Sequence, residues 1–283
     1  MTEEEGPPDM RMRILTASLL ASALAIPVVI DAAAADLGVT PTPPQAAQQG
    51  SEWTFAVAPY FWAAGLQGDV GVFGVKPVHL DMSFGDIFDN LRFGGMLVGE
   101  AHNGTWGLFG DLIYVKIEDD ASVTRTVSGI PATLAASVET SSLTATILGE
   151  YRVLSQPSAN VDVMAGARIW SVDNTIGVSL AVDGPPIRDL SGSDGSTWVD
   201  PMVGIRGRVD INPSWYLTGW GMIGGFGAGS DLTWDVLATV GYQWNQKFSL
   251  VAGYRALGVD YDNDGFVYDV VQHGPILGAV FRF

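Results

Sequence analysis

The sequence predicts an all-β protein, a single antiparallel transmembrane β-barrel of about ten strands, with about eight to twelve compatible with the spacing and a short helical insert near residues 83–90. Three observations carry this expectation: an alternating closing strand, a composition rich in Gly and Trp but poor in charge, and a leader followed by no apolar run of helix-spanning length. Over residues 274–283, Pro275, Leu277, Ala279, Phe281 and Phe283 share one phase of a period-two pattern, and Gly274, Ile276, Gly278, Val280 and Arg282 share the other. Strand side chains alternate between faces, so one face of this segment is apolar and ends in an aromatic ring. Several earlier segments repeat the pattern, which suits a wall with lipid on one side.

Charged residues are 16% of the chain and hydrophobic residues 47%, with 35 Gly and 9 Trp; soluble domains average about 25% charged. The absence of Cys excludes disulfides, thiolate metal sites, a cysteine nucleophile and a lipoprotein anchor. A net charge of -17 argues against nucleic acid as a partner, since phosphate binding requires clustered Lys or Arg.

Residues 1–35 read as a signal peptide: Arg11 and Arg13, an apolar run over 14–26, a break at Pro27, and small residues up to Ala35, after which cleavage is expected. The acidic stretch 2–9 does not suit a positively charged leader start, which points to Met10 or Met12 as the true beginning. Residues 36–50, rich in Pro and Gln, read as a flexible periplasmic tail, and 51–283 as the barrel. An exported chain with no spanning helix must satisfy its backbone in lipid by closing a sheet.

Strand-like runs fall at 53–68, 91–102, 105–118, 136–154, 159–177, 197–211, 214–226, 231–245, 247–260 and 270–283. Short turn signals at 103–104, 156–160, 212–213 and 245–246 alternate with longer connections, the asymmetry expected of periplasmic turns and outer loops. A crossing by residues 71–90 would reverse the sidedness of every later turn, so this stretch is read as an insert on the outer side or in the lumen. Ser83 and Asp86 ahead of Ile87, Phe88 and Leu91 predict a capped helical turn. Ser83, Phe84, Asp86, Ile87 and Phe88 are expected to plug the outer mouth. Trp106, Tyr151, Trp215 and Tyr242 beside the short turns, and Tyr60, Tyr114 and Trp234 toward the long ones, are expected to form aromatic girdles. Trp170 and Trp220 also admit a core role.

The run Gly224-Gly225-Phe226-Gly227 with Ser230, Asp231 and Trp234, the segment 249–255, the closing Phe281-Arg282-Phe283 and the segment 81–91 resemble a group of proteobacterial outer-membrane β-barrel proteins of porin-like type without an assigned activity. The resemblance covers most of 53–283. It implies an outer-membrane location in a Gram-negative cell and brings no catalytic residues with it.

Charges on a lipid face would cost a few kcal/mol each at the midplane. Arg92, Glu100, Asp111, Glu150, Arg152, Asp162, Arg168, Asp200, Arg206, Arg208, Asp210, Asp235, Arg255 and Arg282 are therefore assigned to the lumen. Arg forks meeting carboxylates across a narrow bore, or a weakly selective channel, both follow from that set. Asp260, Asp262 and Asp264 before Gly265 imitate the start of a calcium loop, but the twelfth position is Val271 instead of a bidentate Glu. No metal or cofactor is expected. His79 beside Asp81, and His273 near the acidic loop, are the residues an outer-loop enzyme would use, while His102 reads as a turn residue. With no nucleophile fixed beside a base, the chain is expected not to be an enzyme. The function expected is a narrow porin-like channel for small solutes or a structural surface barrel; the alternative is an outer-membrane protease or lipid-modifying enzyme. Outer-membrane lipid and, through Phe281 and Phe283 in the closing strand, the barrel-assembly machinery are the expected partners. The pattern assigns no oligomeric state.

Overall fold

Period-two alternation along nearly the whole described chain leaves one way to satisfy the backbone on both edges of the sheet, which is to join them. A computed structural model describes residues 52–283, except 73, 75, 128–129 and 183–185; the expected leader and tail lie outside the described residues. The strands are β1 (Thr54–Trp62), β2 (Gly65–Gly71), β3 (Val78–Met82), β4 (Leu91–His102), β5 (Trp106–Val127), β6 (Ile130–Gln156), β7 (Ala159–Val182), β8 (Pro186–Asp210), β9 (Trp215–Gly225), β10 (Leu232–Gln243), β11 (Phe248–Asn263) and β12 (Phe266–Arg282), with helix α1 (Phe84–Asp89) between β3 and β4. β4 to β12 pair antiparallel with their chain neighbours, and β1 closes the ring by pairing with both β4 and β12. Ten strands form the closed wall. Neither β2 nor β3 adds a crossing. β2 continues the line of β1 along β12 beyond Ala63 and Ala64, and β3 pairs with β2 before α1 returns the chain to β4.

The expected strand cores are all present, but the hairpins of the long-loop end carry far more strand than their sequence suggested. β6, β7 and β8 run for 27, 24 and 25 residues, whereas a tilted crossing needs about 9–11. The excess stands beyond the bilayer, where outward positions can be Thr and Ser and still pair, as Thr124 and Thr133 do at 2.8 Å. Asp264 and Gly265, with φ of 50° and 85°, form the two-residue turn of the β11–β12 hairpin. Both residues in the left-handed region make a turn whose twist matches the strands it joins.

Helix α1 begins where the sequence placed it. Ser83 Oγ accepts from the Asp86 amide at 3.3 Å, and Asp86 Oδ2 accepts from the Ser83 amide at 2.9 Å, a reciprocal capping box. The Ser83 hydroxyl and then its amide hold the Asp86 carboxyl below its usual 3.8, so the cap is complete above that pH and is lost as the carboxyl protonates below it. The plug expected of Ser83, Phe84, Asp86, Ile87 and Phe88 is corrected by where the helix lies. The Phe84 ring meets Phe61 edge-to-face at 5.6 Å, and Phe61, 48% exposed, points outward between the inward Tyr60 and Trp62. No residue of α1 is buried. An apolar helix turn suits lipid as well as a lumen, and contact with an outward ring decides between them.

Where β12 passes from β1 to β2, a Cβ on Gly274 would stand 1.9 Å from the Ala63 carbonyl oxygen. The Gly274 carbonyl also accepts from Trp62 Nε1 at 3.2 Å, so the backbone there is held from inside. Gly274→Val should therefore destabilise the closed barrel by about 2 kcal/mol or more, the scale of overpacking at a site that cannot yield. The measurement is the temperature at which the folded, faster-migrating band is lost in detergent gels, compared with Gly99→Val, where a Cβ meets nothing within 4 Å.

Candidate functional site

A ten-stranded ring leaves a bore only slightly wider than side chains can fill, and inward positions of seven strands meet across it. Arg255 on β11 donates from Nη2 to Asp111 Oδ2 on β5 at 2.5 Å and to Asp235 Oδ2 on β10 at 2.7 Å, and from Nε to Asp235 Oδ1 at 3.1 Å. Its Nη1 donates to the Tyr60 hydroxyl at 2.7 Å, which in turn donates to Asp111 Oδ1 at 2.8 Å. Arg168 on β7 donates to Asp235 Oδ2 at 2.6 Å and, from Nε, to Thr146 Oγ1 on β6 at 2.8 Å. Trp220 Nε1 on β9 completes the acceptor set of Asp235 at 3.0 Å. Arg168, Asp235 and Arg255 have no exposed surface. Charge this deeply buried is tolerable only when paired and bonded in this way.

Toward the long hairpins an aromatic layer covers the network. Trp198 stacks on Tyr261 at 3.8 Å, Trp170 stacks on Trp198 at 5.8 Å, and Tyr268 closes on both. Toward the short turns, Phe109, Leu148, Met164, Met202 and Met222 pack together beside Trp220. Next to them Arg206 donates to Glu100 at 2.6 Å and Glu150 at 3.3 Å, and Arg152 holds Asp162 bidentately at 2.9 and 3.0 Å. His102, buried and 3.5 Å from Asp162, accepts from the Gly104 amide at 2.7 Å, so the turn residue also reaches the lumen. Below Trp220 and Leu237 a cavity of about 770 Å³ opens at the short-turn end.

Of the residues assigned to the lumen, Asp111, Arg168, Asp235 and Arg255 meet in the central network, and Glu100, Glu150, Arg152, Asp162 and Arg206 in the layer below. Asp200 is buried and accepts from the Ser230 amide at 2.7 Å, tying the β9–β10 turn inward. Arg208 and Asp210 pair at 2.8 Å near the short-turn end, where Arg282 also lies. Arg92 is a correction: it follows a register shift at the start of β4 and stands at the opposite rim, 59% exposed, on Glu118 at 2.8 Å. Tyr60 is another, since it lies inside the network and not in a girdle. Its phase, shared with Trp62 and opposite to Phe61, was the available signal. Trp106 with Tyr151 at 4.8 Å and Trp215 with Tyr242 at 5.0 Å do form an outward aromatic belt beside the short turns.

The outer histidines find different partners from those expected. His79 Nδ1 lies 2.9 Å from Asp69 across the β2–β3 pair, while Asp81 accepts from Gln67 at 3.0 Å. His273 bonds to the Tyr254 hydroxyl at 2.7 Å. It pairs in register with Gly65, four residues from Asp69 and so about 13 Å away along the strand. Asp260, Asp269, Asp69 and His79 occupy successive register positions on the outward face. Asp260 and Asp262 stand on an extended strand, and Asp264 is spent in the hairpin turn, so the three do not wrap around an ion as a calcium loop does. Partial burial and then the carboxylates of Asp269, Asp231 and Asp262 push the Asp260 carboxyl up from 3.8.

No family model and no curated protein matches the chain. Among solved structures, the outer-membrane protease OmpT from Escherichia coli superposes with a TM-score of 0.51 at 10% identity, covering 83% of this chain and 98% of that one. The translocator domain of the autotransporter NalP from Neisseria meningitidis gives 0.38 at 14% identity over 82% and 89%. Ail of Yersinia pestis gives 0.29 at 12% over 82% and 98%. At these identities the likeness is one of fold. The protein is a closed antiparallel β-barrel of the kind that spans the bacterial outer membrane.

Two outcomes follow from the charges. Arg255→Leu leaves Asp111 and Asp235 buried without their fork, and should cost about 3–5 kcal/mol in urea unfolding from lipid vesicles followed by Trp fluorescence; Arg92→Leu at the rim should cost less than about 1 kcal/mol. Asp260→Asn should stabilise the β11–β12 hairpin by a few tenths of a kcal/mol, roughly the low end for like charges facing across strands. Because the folded carboxyl titrates above 3.8, the repulsion is absent below that pH and complete above the raised value. Hydrogen-exchange protection of the hairpin, taken relative to the intrinsic rate at each pH, should rise on acidification in the parent and change less in Asp260→Asn.

Proposed function

We propose that the protein is a structural and surface barrel without chemistry, with a lumen closed to solutes, in preference to a narrow porin-like channel. The reading rests on one observation: Arg168, Asp235 and Arg255 cross the bore with no exposed surface. A conducting lumen needs sites that bind weakly enough to release their ions. Here each charge is held by fixed counter-charges under a stacked aromatic lid, and moving one aside would leave another buried and unpaired. The strand extensions beyond the bilayer are the surface element. A catalytic reading has a single observation in its favour, the Asp69 to His79 contact at 2.9 Å. That pair lies on the exposed face of the β2–β3 hairpin, about 13 Å along the strand from His273.

Planar-bilayer recording of the refolded full chain is the test. The expected result is no steady conductance, either in the parent or after replacing 83–90 by a short linker, since α1 lies outside the wall. Large, steady openings in the parent would overturn the closed lumen. Turnover of peptides or lipid A that disappears in His79→Ala would overturn the absence of chemistry.

A further inference from the structure

The cavity under the ion network has an apolar wall and a cationic mouth. Along β1 the inward residues shrink from Trp62 and Tyr60 to Ala58 and Ala56, and on β12 Gly278 faces the same space. The hollow therefore lies where the chain supplies little side chain, under a ceiling of Trp220 and Leu237. Arg282 stands at the mouth and has no carboxylate partner among the described residues: it donates to Ser249 Oγ at 2.5 Å and to the Tyr216 hydroxyl at 3.3 Å. Its amide donates to the Lys247 carbonyl at 2.8 Å, and the Lys247 side chain, also at the mouth, has no acidic partner among the described residues. Arg208 lies 3.7 Å over the Tyr216 ring, its charge already met by Asp210. Glu100 on the wall is held by Arg206, which leaves Glu52 as an acid at the rim. A chain of net charge -17 with two unmatched cations at the entrance of an apolar hollow has the chemistry of a receptor for an anion.

We propose that this cavity binds a single-chain anionic amphiphile from the periplasm, with its carboxylate or phosphate head on Arg282 and its acyl chain along Ala58 and Gly278 toward Trp220. The volume, about 770 Å³, lies within the roughly 300–1,000 Å³ typical of small-molecule pockets. From Arg282 to Ile276, six residues of β12 give about 20 Å of wall. The guanidinium fork suits either oxyanion, and its neutral partners leave N–H donors for a ligand.

Photolabelling of the full chain in nanodiscs tests this, using a diazirine fatty acid, a diazirine alkyl phosphate and the neutral diazirine alcohol, with label positions mapped by peptide mass spectrometry. Label on inward Ala58, Val251 or Leu237 is expected with one or both anions, and about tenfold less with the alcohol. If only one anion labels, that result assigns the head group. Arg282→Gln should lower inward labelling about tenfold and Arg282→Lys should restore most of it. Ala58→Phe and Gly278→Leu, made separately so that one can be read if the other fails to fold, should each remove it. Label on outward Leu250 and Leu277 reports bilayer partition and should not change. Inward labelling that is absent, equal with the alcohol, or unchanged in Arg282→Gln overturns the proposal. A silent bilayer recording bears on the closed lumen alone, so the two readings fail separately.

Discussion

The Asp235 carboxylate, shared between two guanidiniums and an indole in the middle of the bore, is the interaction on which the interior depends. Lipid forbids charge on the outward phase of every crossing strand, so polar residues of these strands are driven inward. A ten-stranded bore is too narrow to hydrate them freely, and they must satisfy one another. Arg supplies the reach, since a long planar fork on one strand can meet carboxylates on strands well around the ring. Arg255 joins β11 to β5 and β10, and Arg168 joins β7 to β10. Two of these links, β11 to β5 and β7 to β10, tie together strands that share no backbone ladder, which opposes shear of the wall.

The same rule explains how much could be read from sequence. Ring closure, strand number and inward phase were legible because they follow from period-two alternation and from the alternation of short and long connections. Partners were not, because phase says which face a residue occupies but not which distant strand faces it. His79 illustrates the difference: Asp81 is its neighbour on the same face of β3, yet directly opposed residues of paired strands lie closer, and it takes Asp69. Tyr60 was misplaced for another reason, since aromatic residues occupy both phases of β1, and only strict counting separates Phe61 outside from Tyr60 and Trp62 inside. The hairpin extensions of β5 to β8 were read as loops because the amphipathic signal vanishes once the outward face meets water instead of lipid.

Helix α1 shows a limit of local signals. Ser83 and Asp86 specified its start, and the capping box formed as their spacing implies. Nothing in Phe84, Ile87 and Phe88 distinguishes a lumen from a bilayer, since both reward apolar surface. The placement comes from the chain path. β3 descends on β2, β4 descends on β1, and the helix spans the junction on the side where Phe61 stands.

The two ends of the barrel consequently differ in what they admit. Large inward side chains, Trp62, Trp170, Trp198, Tyr261 and Tyr268, accumulate above the ion network, while Ala56, Ala58 and Gly278 lie below it. A network at mid-depth therefore acts as the floor of a filled half and the ceiling of a hollow one. Removing a central charge would disturb both, since Tyr60 and Trp220 belong at once to the network and to the cavity lining. The hollow opens at the short-turn end, and the residues that would have to part for passage beyond it are those whose charges are hardest to separate.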